Sequence, residues 1–259
     1  GSAHGRSPII ARLTVRGPAS QHGSPPVQIT ELLRTERSFR WLWLGQVVSE
    51  LGDWFQLVAL VSMFPTDGRG ASVVAGLFVG RNLVAALVTP LAGVVADRFH
   101  RGRVMIVMDL ARALVVLGFL LVRGPQDVVA IYALSFVLEA LTIVFEPARG
   151  AAIPQVLPPT KLYAANTLSS ATWSSVLALG ALAGGIAASR LGRDAAFAVN
   201  SVTFVASAVF VALARVPALP DAKREHATPP HPLRELRDGI DYLRANRAQR
   251  ALLALKPGA

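Results

Sequence analysis

The chain has 259 residues, 53% of them hydrophobic and 16% charged, with a net charge of +10 and no cysteine. Soluble domains carry roughly 25% charge, and a mean hydropathy of +0.47 leaves too little polar side chain to coat a water-facing surface. The composition points to a membrane protein, and the lack of cysteine excludes disulfides and thiolate metal sites.

Residues 1–38 are rich in Gly, Ser, Pro and Arg without a lasting hydrophobic period. They read as a disordered cytoplasmic tail that turns helical near "ITELLRTERSFR". Six apolar runs follow: Trp41–Met63, Val73–Val95, Val104–Val122, Val128–Phe145, Leu162–Ala188 and Ala195–Ala214. Each approaches the roughly 20 residues that cross about 30 Å of hydrocarbon as a helix. An all-α bundle of six transmembrane helices is expected over 39–214. A polar linker occupies 215–250, where Leu233, Leu236, Ile240 and Leu243 recur at helical spacing, as in an amphipathic helix lying on a membrane surface. Residues 251–259 open a further apolar run with "ALLAL", read as the start of a truncated seventh helix.

Lys and Arg fix the expected orientation. Twenty fall in the tail, in the loops at Arg98–Arg103 and Arg149–Lys161, and from Arg215 onward, whereas four lie on the other side. Cytoplasmic loops carry the positive excess, so both termini are expected in the cytoplasm. The same placement accounts for the net charge without nucleic acid, leaving the lipid bilayer as the partner of the basic residues.

The loop between the second and third runs reads "GVVADRFHRGR". It resembles the major facilitator superfamily signature G-x-x-x-D-R-x-x-R-[RK]-[RK] through Gly93, Asp97, Arg98, Arg101 and Arg103, with Gly102 at a position that is usually basic. "GDW" in the first run and "FEPARGAAIPQVLP…LYAANTLSS" across the fourth and fifth are similar to the drug-efflux and secretion branch. "GALAGG" resembles the antiporter motif, with Ala181 where proline is expected. The resemblance implies the N-terminal bundle of a twelve-helix transporter, built as two inverted three-helix repeats, with a missing C-terminal half as partner. Physically, Gly93 permits close helix approach, and Asp97 can accept from a helix N-terminus while Arg98 and Arg101 steady it. Such a cluster can latch one conformation.

A charge at mid-membrane costs about 2.5–3.5 kcal/mol on insertion scales, so polar residues inside the runs mark function. Gln46, Ser49, Glu50, Asp53 and Gln56 form one stripe on the first run; Ser135, Glu139, Thr142 and Glu146 form another on the fourth. Both are read as cavity lining, in helices that the inverted repeat makes equivalent. Depth in the membrane suggests two pairs, Arg81 with Asp53 and Arg112 with Glu139, with Asp109 one turn from Arg112. Glu146 and Arg149 could join the loop latch. Asp53 and Glu139 are the candidates for proton coupling, because a carboxyl taken from water ionises reluctantly while an arginine restores its charge. Gly180 and Gly184, with Gly185 beside them, form a small-residue face for helix packing.

No enzyme, metal site or cofactor is expected, because the five histidines are scattered and no phosphate-binding glycine loop supports direct ATP drive. The expected function is proton-coupled efflux of a hydrophobic drug or secreted metabolite across the cell membrane. The alternatives are proton-independent transport on the same fold, or a truncated membrane protein that transports nothing.

Overall fold

The computed structural model describes residues 29–64 and 68–218. Tail residues 1–28, most of the expected linker and the expected seventh run lie outside the described residues. The elements are α1 (Ile29–Thr35), α2 (Arg37–Ser62), α3 (Gly68–Arg98), α4 (Arg101–Gly118), α5 (Val128–Val156), α6 (Leu162–Leu191) and α7 (Arg193–Ala214). Among the described residues there is no strand.

Helix ends depart from the apolar runs where local chemistry takes over. Part of the expected tail is helical: α1 buries Leu32, and α2 starts at Arg37. Leu32 packs with Phe39, Ile153, Leu157, Ala165 and Leu168, which supplies the burial that a seven-residue helix lacks alone. At the start of α4 the Nδ1 of His100 accepts the Arg103 backbone N–H at 3.4 Å. α5 continues through Pro147 and Pro154 to Val156, eleven residues beyond the expected end at Phe145. Gly192, at φ 78°, separates α6 from α7 with a backbone that glycine adopts without strain.

Among the described residues, four helices, α3, α4 with its 3-10 extension, α5 and α7, are long and apolar enough to cross a membrane. α2 is of similar length, and its acids and glutamines dilute its apolar character. Apolar side chains stand open around the bundle, including Val79 and Leu87 on α3, Leu114 on α4, Leu182 on α6 and Val202 on α7. Apolar exposure of this extent suits lipid or another protein surface, not water.

Packing follows a regular scheme: α2 lies along α7 as α4 lies along α5, α3 packs on α5 as α6 packs on α2, and α4 meets α7 between them. Small residues set the closest approach. A Cβ on Gly52 would collide with Thr203 and Asn200 of α7. One core cluster joins Leu60, Leu77, Val116, Phe119, Phe197 and Phe204; another joins Leu42, Val104, Met105, Phe145 and Val211. α2 and α5 scarcely touch each other, and polar residues occupy the space between them.

Candidate functional site

A cavity of about 140 Å³ lies among α2, α3 and α5. Leu57, Leu60, Leu77, Phe78 and Leu138 give it apolar walls, and its polar lining is Asp53, Gln56, Arg81, Ser135, Glu139 and Thr142. Those residues recur every three or four positions on α2 and α5, so helical pitch brings each set to one face. Arg81, from α3, donates through Nε to Glu139 at 2.7 Å; its side chain is 47% exposed and that of Glu139 17%. The expected pair was Arg81 with Asp53. Both residues line the cavity, but the arginine has taken the acid of α5, because α3 packs on α5.

The second expected pair is also rearranged. Arg112 binds Asp109, one turn away on α4, instead of Glu139. The two are 2% and 0% exposed and do not line the cavity. The Arg112 guanidinium carbon lies 4.2 Å from the ring centre of Phe145 on α5 and 4.4 Å from that of Phe204 on α7. Two ring faces, each electron-rich, hold the cation in a buried site. Among the described residues, Arg112 Nε has no hydrogen-bond partner.

Gln46, Glu50 and Glu146 belong to a third group. Gln46 Nε2 donates to Glu50 at 2.8 Å, and Arg149 Nη1 donates to Gln46 Oε1 at 2.7 Å. Arg149 also binds Glu146 at 2.8 Å. This chain of contacts joins α2 to α5 and reaches α6 through the Ser169 carbonyl, 3.4 Å from Gln46 Nε2. It does not include the loop: Arg149, expected near the latch, is spent on Gln46 and Glu146.

The signature loop is arranged differently from expectation. Arg101 donates to the Ala151 carbonyl of α5 at 2.9 Å and does not steady Asp97. Asp97, Arg98 and Arg103 are exposed. A Cβ on Gly93 would meet nothing within 4 Å, so no close helix approach occurs there. Gly180 and Gly184 do lie in a tight helix contact. Added Cβ atoms would fall 2.7 Å from the Trp54 ring and 3.0 Å from the Trp54 carbonyl. Gly185 faces open space.

Three contributors were absent from the candidates read in the sequence. Asn200, fully buried on α7, donates to Gln56 at 2.5 Å and ties the α2 stripe to α7. Its position in an apolar run was a usable signal. Phe145 and Phe204 carried no such signal, since nothing separates a ring that faces a cation from one that faces leucines.

The family described as Transmembrane secretion effector matches residues 33–255. Among curated relatives, the uncharacterized MFS-type transporter YfiS of Bacillus subtilis (strain 168) is 26% identical over 82% of this chain and 51% of its own length. A B. subtilis (strain 168) protein with the provisional name bacilysin exporter BacE is 28% identical over 70% of this chain and 45% of its own. Macrolide efflux protein A of Streptococcus pyogenes is 27% identical over 83% of this chain and 53% of its own. The chain thus spans about half the length of the curated relatives it matches. No solved structure matches it.

Proposed function

The chain belongs to the Transmembrane secretion effector family, in the efflux branch of the major facilitator superfamily, and from that premise we propose that it forms one half of a proton-coupled exporter of amphipathic small molecules. In this reading α2 to α7 are six crossings of the cell membrane, and both termini lie in the cytoplasm. The packing scheme supports two inverted repeats, α2–α4 and α5–α7, since α2–α7 and α5–α4 are equivalent contacts under that symmetry, as are α3–α5 and α6–α2. A second six-helix half would complete the substrate site, which alternates sides as the halves rock.

The observation that carries the proposal is the convergence of Asp53, Arg81 and Glu139 from three helices on one cavity with apolar walls. Two carboxylates and one guanidinium leave one negative charge. A proton or a cationic substrate group can neutralise it, and competition between the two couples their movements. Glu50 and Glu146 continue the acid stripe toward the cytoplasm, and the Arg112–Asp109 pair holds α4 in place beside it. The exposed loop of Asp97, Arg98 and Arg103 would latch against the other half. Export of drugs or secreted metabolites is carried over from the names of the relatives.

Proton-independent transport is the second reading, and the Arg81–Glu139 pair favours it by cancelling one acid of the cavity. The deciding experiment is Asp53→Asn in the intact transporter, reconstituted in vesicles with an imposed proton gradient. Gradient-driven flux should vanish while exchange down a substrate gradient and the folded yield persist. Undiminished proton-driven flux in the variant would eliminate the coupling role.

A further inference from the structure

α7 ends at Arg215, which has φ 49° and ψ 52° and is the one described residue other than glycine with positive φ. Its backbone N–H donates to the Ala212 carbonyl at 3.3 Å. A left-handed residue at a helix end turns the chain back over the last turn. Here that turn delivers Val216 to the loop between α3 and α4.

Val216 is 6% exposed and packs with Leu42, Ala96, Val104, Met105 and Val211. A Cβ placed on Gly102 would lie 3.3 Å from the Val216 Cβ and 3.2 Å from His100 Cε1. Any side chain at 102, including the basic one that the signature usually carries, would press on Val216 and on the histidine that caps α4. Gly102 is the notch and Val216 fills it.

We propose that Val216 is a strap: by filling the notch at Gly102 it sets how the signature loop presents Asp97 and Arg98, and it passes any pull on the segment after α7 directly to that loop. The two side chains being presented are exposed, and neither makes a hydrogen bond or ion pair within the described residues. Their positions are set by the backbone beneath them alone. That backbone rests on His100, Gly102 and Val216. Val216 is thus a positioning residue for a loop 113 or more residues earlier in the chain, and it acts without touching Asp97. The inference is independent of the proposed transport activity.

The natural absence of cysteine makes the test direct. The full chain is prepared in lipid nanodiscs as Gly102→Cys/Val216→Cys. Disulfides need Cβ atoms about 3.5–4.5 Å apart, so mild oxidant should consume both thiols, whereas a Gly102→Cys/Leu213→Cys control should keep them. In parallel, Val216→Asp should speed amide exchange across residues 96–104, and maleimide labelling of an Asp97→Cys reporter, by about tenfold or more, with residues 162–178 unchanged. Val216→Ala, which only opens a void, should give a smaller rise in the same segment and serves if the aspartate variant does not fold. Two free thiols after oxidation overturn the proposal. So does exchange at 96–104 that stays within about twofold, or that rises equally at 162–178.

Discussion

Replacing Asp109 with asparagine isolates a guanidinium that water does not reach. Arg112 is 2% exposed and its partner fully buried, so the cation keeps the rings of Phe145 and Phe204 and the attraction of the Asp53 carboxylate. Two unit charges near 4 Å attract by about 4 kcal/mol at an effective dielectric constant of about 20, and removing one member of a buried pair costs about 3–5 kcal/mol. The ring contacts, each worth about 1 kcal/mol, survive the change. The asparagine carbonyl can still accept one hydrogen bond from the guanidinium. Asp109→Asn should therefore destabilise by about 3 kcal/mol, the lower end of that range. Arg112→Met strands the carboxylate and loses both ring contacts, and belongs near the upper end, about 5 kcal/mol. Once one charge is gone, the other is better removed than kept. The double variant should therefore cost about 2–3 kcal/mol less than the sum of the singles. A double-mutant cycle from reversible unfolding in mixed micelles measures that difference. Additive singles, with a coupling below about 0.5 kcal/mol, would show that the two residues do not act as a pair.

Gly52→Val, which drives a side chain into Thr203 and Asn200, should lose about 1–3 kcal/mol in the same unfolding assay. Gly185→Val, facing open space, should stay within about 0.5 kcal/mol, and equal losses at both glycines would refute the assigned contacts. Tyr132→Phe removes the 2.9 Å bond from its hydroxyl to the Val73 carbonyl and should cost about 1 kcal/mol. Glu139→Gln should release Arg81 and accelerate its modification by phenylglyoxal; an unchanged labelling rate would mean that the pair does not hold the arginine.

Much of the fold was written in the order of residues. Apolar runs of about 20 residues are long enough to form helices, and the six runs fall on the six long helices of the described residues to within a few residues at most ends. The acid stripes were legible for a related reason. Helical pitch alone puts Asp53 with Gln56, and Ser135 with Glu139 and Thr142, on common faces, and each face lines the cavity. Gly180 and Gly184 could be read as a packing face from their spacing, before α2 was known to be their neighbour.

Partner choice could not be read that way. Arg81 and Asp53 suit one another in depth, as do Arg112 and Glu139, but an ion pair forms across whichever helices touch. Contacts between helices are chosen by the summed fit of many side chains. Once α3 lay on α5, Arg81 took Glu139. Arg112, boxed by rings from α5 and α7, was left with the aspartate of its own helix. Arg149 was drawn to Gln46, away from the loop. Gly102 looked like a lapse in the signature until the chain leaving α7 was seen to fill its place. Spacing along one helix is a local property, and the sequence carries it directly; the identity of a neighbour 50 or 100 residues away is a property of packing, and only the folded bundle supplies it.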